Sequence, residues 1–329
     1  MEKDRALLTA DENKVLDGHL EEILKMLSPY FLAKPAHKVI EWLVRRFRVH
    51  QLNIKAVVAC VLPYHDSMLF VKMCQILEFQ KDPVWSFLGA VKKSGQPLPR
   101  ATLVTRCAKD LAVVQAIAQL AQNAAAASAG SATTPITFFG VVCVEMLHGM
   151  DTAPEQLVTI LMPVLSQGLH KHARIEFQTA AYMVLAELGA KANFTSEALE
   201  VILVELVKAP QNPEDALSIF VHLILAQRVT EIPAAAAKFL IKLPGLTEAL
   251  QELCEHHDLG RFVILYLEAL GAGEGSHHSR LLREAIEELP VQPHLERFLS
   301  QRLLAAKTEE DGNLAGEALG EILSLVEAR

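Results

Sequence analysis

Apolar residues in this chain recur every three to four positions, in segment after segment, and Pro-, Gly- or Asn-rich connectors of a few residues separate the segments. Val15, Leu16, His19, Leu20, Ile23, Leu24 and Leu27 form the first such stripe, and Leu69, Phe70, Met73 and Leu77 form a later one. Spacing of this kind places one apolar face on a helix. No window alternates apolar and polar residues for long enough to specify a strand. The pattern predicts helices over 101–122, 136–147, 154–165, 176–188, 196–207, 213–226, 233–242, 246–270, 277–289, 293–305 and 314–326. Gly271, Gly273 and Gly275 fall in a helix linker, since a dinucleotide loop needs a preceding strand. Weak self-similarity between segments leaves a globular helical bundle open, while an all-α chain of paired helices without a strict heptad suggests a HEAT/armadillo-like α-solenoid. At roughly 40–47 residues per repeat, it would hold about seven helical repeats.

Composition agrees with this reading. The 329 residues are 51% hydrophobic and only 6% aromatic, which favours helix packing over sheets. The stretch 123–135, NAAAASAGSATTP, is the strongest break, a flexible Ala/Ser/Thr-rich connector between a helical-repeat segment at 1–122 and a continuing one at 136–329. Charge divides along similar lines. Residues 1–110 carry 17 Lys/Arg against 12 Asp/Glu, a balance of +5, while the remainder carries 14 against 27, a balance of −13. A basic end joined to an acidic body suits a protein that bridges different partners. The apolar stripe predicted at 314–326 (Leu314, Ala318, Leu319, Ile322, Leu323, Val326) is left without a covering repeat, so more of the array is expected after it.

Residues 27–65 concentrate the signal. A Pro35-opened amphipathic helix buries Ala36, Val39, Ile40, Leu43, Val44 and Phe47 by its spacing and turns a basic face outward. Lys34, His37, Lys38, Arg45, Arg46, Arg48 and Lys55 lie within 22 residues, opposed only by Glu41, and Trp42 stands beside them. Exposed arginines and lysines can neutralise phosphates while an exposed indole stacks on a base. The same surface also suits an acidic protein partner, or packing between repeats. Lys92, Lys93, Arg100, Arg106 and Lys109 form a second, weaker basic zone, and Tyr30, Pro63, Tyr64 and His65 read as helix-end and packing residues.

The motifs LSPYFLAKPAHKVIEWLVRRFRVH (27–50) and CVLPYH (60–65), then Trp85, VKKSGQPLPRATLVTRCAKDL (91–111) and AAYMVLAELGAKANF (180–194), resemble the N-terminal region of a family of very large nucleolar HEAT-repeat proteins, the U3 small-nucleolar-RNA-associated protein ten family. The likeness is strongest over the first third and continues to about Leu206. The resemblance implies a scaffold of the small-subunit processome in the nucleus and nucleolus, acting in pre-rRNA processing and ribosome biogenesis. It implies contact with processome subcomplex proteins, the 5′ external spacer of pre-rRNA and U3 small nucleolar RNA. Family members are several times longer, so these residues would be a portion of a longer array. A generic HEAT-repeat adaptor for transport or signalling, with no RNA role, is the alternative.

Nothing in the residues assembles catalytic chemistry. There is no phosphate-binding P-loop, no HExxH, no nucleophile elbow and no nucleophile–base–oxyanion set. Cys254, His256, His257 and Asp258 lack a second ligand pair at zinc spacing. His148 and His222, inside apolar helices, read as partnered core or groove histidines. The expectation is therefore no catalytic residue, no metal, no cofactor, no small-molecule substrate and no membrane contact. Five scattered cysteines without CxxC spacing predict a reducing compartment.

Overall fold

The computed structural model describes residues 5–79, 82–126, 133–272 and 276–291. Seventeen α-helices and no strand occur among the described residues. They are α1 (Ala10–Leu27), α2 (Lys34–Phe47), α3 (Val49–Leu52), α4 (Ile54–Val61), α5 (Met68–Ile76), α6 (Gly89–Ser94), α7 (Arg100–Lys109), α8 (Leu111–Ala126) and α9 (Thr133–His148). There follow α10 (Glu155–Leu169), α11 (Ile175–Lys191), α12 (Ser196–Lys208), α13 (Pro213–Ala226), α14 (Ala234–Leu240), α15 (Leu246–His256), α16 (Gly260–Ala272) and α17 (Ser276–Glu288). The helices predicted at 293–305 and 314–326, and most of the glycine linker at 271–275, lie outside the described residues.

Local chemistry sets these boundaries. Thr9 and Glu12 close a reciprocal capping box at the start of α1, in which the hydroxyl accepts from the Glu12 N–H and the carboxylate accepts from the Thr9 N–H at 2.8 Å. Pro35 occupies the first turn of α2, where a missing N–H leaves no bond unmade. Two helices predicted as continuous are each broken by an aspartate. At Asp110 the backbone is extended and the carboxylate accepts from the Ala112 N–H at 3.1 Å, ending α7 and starting α8. At Asp258 the carboxylate accepts from the Gly260 N–H at 3.1 Å, separating α15 from α16. A short acidic side chain that satisfies free N–H groups competes with the helix for its own backbone.

The chain forms two compact units. The first holds the described residues up to Gly168 together with His172–Ala192, and the second holds Leu169–Lys171 and the described residues from Asn193 onward. The helices flanking the 123–135 stretch, α8 and α9, pack on each other within the first unit, and residues 127–132 lie outside the described set.

Within each unit, helices pack on the next helix but one as well as on their neighbours. In the first unit α9 packs on α7, α8 and, most extensively, α11. In the second, α12 packs on α13 and α14, and α15 packs on α13 and α17. Contact with the second-next helix is what two stacked layers of helix pairs produce, and it is the packing of a HEAT-like solenoid and not of a globular bundle. The tightest approach is at Gly168, where an added Cβ would come within 2.7 Å of the Ala181 Cβ.

Two Pro-Tyr turns lock the start of the first unit. Ser28–Tyr30 and Leu62–Tyr64 are single 3₁₀ turns that end α1 and α4. The Ser28 hydroxyl donates to the Cys60 carbonyl at 2.9 Å, and the Tyr64 hydroxyl donates to the Ser28 carbonyl at 2.6 Å. His65 is buried, with Nδ1 at 2.7 Å from the Leu98 carbonyl. Tyr64 and His65 thus fix helix ends as expected, whereas Tyr30 is 55% exposed.

Some predicted inward residues face outward. Val15, His19 and Val39 are exposed, and α2 buries Ala36, Ile40 and Leu43 as a narrower seam. His148 and His222 also lie on exposed faces, not in a core, and His148 faces Glu187 at 3.6 Å. A helix in a two-layer stack covers one stripe, so residues on the edge of that stripe stay open to solvent.

Candidate partner-binding face

The outer face of α2 follows from its register. Lys34, Lys38, Glu41 and Arg45 are spaced to fall on one line along the helix, opposite the buried Ala36–Ile40–Leu43 seam, and all four are exposed. Glu41 lies between two cations: the Lys38 ammonium is 3.3 Å from one carboxylate oxygen, and the Arg45 guanidinium is 2.6 Å from the other. Lys38 first, then Arg45, holds the Glu41 carboxyl below the usual carboxylate range, so it is ionised in this setting. The central part of the stripe is therefore a cation–anion–cation array.

Trp42 flanks the array and is 54% exposed. Its ring meets Phe47 edge-on at 5.2 Å between centroids, which holds the indole in place while leaving a face open. The Arg46 guanidinium lies 6.0 Å from the centre of the Phe47 ring and is half-buried. Arg48 ends α2 in the left-handed conformation, with φ at 52°, and its side chain is exposed.

Two predicted residues stand apart from this group. His37 is half-buried, its Nε2 2.7 Å from the Phe31 carbonyl and its ring edge-on to Phe31 at 6.0 Å, so it is engaged with the turn that precedes α2. Lys55 belongs to α4, where its ammonium lies 3.9 Å from Asp82. It lines a different surface, a groove of about 460 Å³ that it shares with Lys25. The structure thus brings together Lys34, Lys38, Trp42, Arg45, Arg46 and Arg48, and sets His37 and Lys55 elsewhere.

The second basic zone is largely engaged. Lys92 donates to the Leu77 carbonyl at 2.9 Å, Arg100 pairs with Glu145 at 2.9 Å, and Arg106 pairs with Asp110 at 2.5 Å. Arg5, which no motif marks, is buried and holds the start of the chain to α1, α2 and α4. A single arginine ahead of the first stripe carries no periodic signal, and only its packing reveals the role. Among the described residues no group of three or more His, Cys, Asp or Glu is placed to hold a metal ion, and His256 and His257 are exposed. No helix of the described residues is long and apolar enough to cross a membrane.

The family model described as "U3 small nucleolar RNA-associated protein 10" matches residues 157–270. HEAT repeat-containing protein 1 of Homo sapiens is 29% identical over 332 residues, covering 98% of this chain and 15% of that protein. A HEAT repeat-containing protein 1 homolog of Drosophila melanogaster is 31% identical over 211 residues, covering 63% of this chain and 10% of that protein. U3 small nucleolar RNA-associated protein 10 of Neurospora crassa is 29% identical over 273 residues, covering 78% of this chain and 15% of that protein. The chain therefore spans about one seventh or less of the length of these relatives. The match runs well past Leu206, into a part of the chain with no Trp and a single Tyr, Tyr266. Both the sequence motifs and the helical stack thus point the same way: over most of its length this chain is similar to the HEAT-repeat proteins of the U3 small nucleolar RNA-associated protein 10 family.

Proposed function

We propose that this chain is a non-catalytic scaffold segment that works with the U3 small nucleolar ribonucleoprotein in the small-subunit processome, in the nucleus and nucleolus. Its partners are processome subcomplex proteins, with pre-rRNA of the 5′ external spacer and U3 small nucleolar RNA as the nucleic acids in reach. The mechanism is positional: stacked helices hold partners at fixed separations, and no bond is made or broken. The basic 1–122 segment faces the anionic partners, 123–135 acts as a connector, and the acidic 136–329 segment meets basic ones. The observation that carries the reading is the α2 face, where Lys34, Lys38, Arg45 and Arg48 are all exposed beside a held, open Trp42. Such a surface offers point charges to phosphates and an aromatic face to a base.

A second reading, a protein-only adaptor, draws on Glu41. That carboxylate engages Lys38 and Arg45, which lowers the net positive charge available to phosphate. Tagged chain purified from cells, with its proteins and RNA sequenced, separates the two. Enrichment of processome subunits, U3 RNA and 5′ spacer RNA is expected, and reversal of Lys38, Arg45, Arg46 and Arg48 to Glu is expected to remove the RNA. Recovery of transport or signalling proteins with no ribosomal precursor would overturn the processome reading.

A further inference from the structure

A trough between α1, α4 and α8, distinct from the α2 face, has a composition unlike the rest of the surface. Helix α8 is sixteen residues long and contains no ionisable side chain, in a chain that is 21% charged. Val113, Val114, Ile117, Ala118, Leu120 and Ala121 bury its inner face. Its outer face, Ala112, Gln115, Ala116, Gln119 and Asn123, is small and neutral and forms one wall of the 460 Å³ groove. Depletion of charge at the centre of an otherwise polar surface is the compositional mark of a protein interface.

The other wall is different. Ala56 and Ala59 of α4 continue the small apolar lining, and Cys60, Leu62 and the buried Trp85 contribute beneath it. Lys25 and Lys55 stand on this side, with Glu21 the one carboxylate in the lining. Lys25 is held by Glu22 at 2.8 Å, and Lys55, 81% exposed, reaches Asp82 only at 3.9 Å. The Lys25–Glu22 pair is exposed and contributes little, so that ammonium can turn to an incoming carboxylate at small cost. Lys55 is exposed while its distant partner Asp82 is buried, so the Lys55 ammonium keeps an open side toward the groove.

Dimensions select the occupant. From Ala112 to Asn123 the wall runs twelve residues, about 16 Å at the helical rise, or three turns of a helix laid alongside. A groove of 460 Å³ falls within the size range of clefts that bury a ligand, so it has room for more than one apolar side chain. Alanines at Ala56, Ala59, Ala112 and Ala116 leave the room that a Leu, Met or Phe would fill. The nearest aromatic, Trp85, is only 5% exposed, so no open ring is presented for stacking a base.

We propose that the α1–α4–α8 groove docks an amphipathic helix of a protein partner, about three turns long, with large apolar anchors toward the alanines and carboxylates toward Lys25 and Lys55. This is the helix-in-groove mode of recognition, and it is independent of nucleic-acid contact at α2.

The test uses the full 329-residue chain as bait for a displayed library of sixteen-residue helical peptides. Selected peptides should carry Leu, Met or Phe at i, i+3 or i+4, and i+7, with Asp or Glu along one flank. Their affinity should fall about tenfold or more in Ala116→Trp, which fills the groove, as expected for loss of a central anchor pocket. It should also fall in Lys55→Glu, and stay unchanged in Arg45→Glu. Ala112→Arg, at an exposed helical position where folding is undisturbed, serves as the second blocking variant, with helicity and melting checked for both. Peptides that bind both blocking variants as tightly as wild type, a basic consensus, or no enrichment would overturn the proposal. So would binding of a twenty-nucleotide single-stranded RNA, or self-association in sedimentation, that is lost in Ala116→Trp, since either assigns the groove to another occupant.

Discussion

Arg5 donates from Nη1 to the Asn53 side-chain oxygen at 2.8 Å, across 48 positions of sequence. The same nitrogen reaches the Phe47 carbonyl at 2.9 Å, Nε reaches Asn13 at 3.3 Å, and Nη2 pairs with Asp17. Asn53 in turn donates to Asp17 at 2.7 Å. One buried guanidinium thus satisfies the last carbonyl of α2 and joins it to α1 and to the start of α4.

Removing that guanidinium leaves several polar groups without their donor in a partly dry site. Arg5→Ala is expected to destabilise the first unit by about 2–4 kcal/mol, the cost of breaking a buried charged hydrogen-bond set. Urea denaturation measures it, and a loss under about 0.5 kcal/mol, the size of an ordinary surface substitution, would show that the network is incidental.

Two glycines should respond to alanine with opposite signs. Gly18 lies mid-helix in α1, and no atom stands within 4 Å of the place a Cβ would occupy, so Gly18→Ala should gain about 0.5–1 kcal/mol from reduced chain entropy. At Gly168 the added Cβ would meet the Ala181 Cβ at 2.7 Å and the Phe177 carbonyl oxygen at 3.1 Å. Gly168→Ala should therefore cost about 1–3 kcal/mol, since the neighbour is a short side chain and a backbone that cannot swing aside. Equal shifts in the two melting temperatures would contradict this account.

Burial pushes the thiols of Cys60, Cys74 and Cys107 up to about 12, and that of Cys143 higher still. In the unfolded chain a thiol titrates near pH 8.5. The folded values are raised, so the unfolded state loses protons first. This contribution to stability is whole below about pH 8.5 and is lost as pH rises toward 12. The urea midpoint should fall between pH 8.5 and 11, and Cys74→Ala should flatten the fall. Thiol labelling at pH 8 should modify only the half-buried Cys254 rapidly. Fast labelling of two or more cysteines would contradict the packing.

Arg48 holds a left-handed backbone at φ 52°, a conformation that disfavours any residue with a Cβ. Arg48→Gly should raise stability by about 1 kcal/mol while removing a charge from the α2 face. If that face contacts phosphates, the variant should bind pre-rRNA spacer less tightly, and the dependence of log affinity on log salt should become shallower by about 0.7. Binding unchanged in both strength and salt slope would remove Arg48 from the contact set. Glu41→Gln should act in the opposite direction by releasing Lys38 and Arg45.

How much was legible in advance depends on the range of the interactions. Helical spacing, the proline openings and the short connectors are local, so the all-helical stack and the outward basic stripe of α2 could be read from the order of residues alone. The breaks at Asp110 and Asp258 could not, because a capping aspartate and an exposed mid-helix aspartate look alike until the free N–H groups are seen. The pairing of Glu41 with Lys38 and Arg45, three and four residues away on one helix, is local as well, and His37 meets a carbonyl only six residues back. Tertiary packing is what placed Lys55 in a groove apart from α2. It also made Arg5 a hub and left a charge-free wall on α8 uncovered. These outcomes depend on which residues meet across long sequence separations. Apolar periodicity determines that a helix has a buried side, while the identity of what lies against that side is decided only when the helices stack.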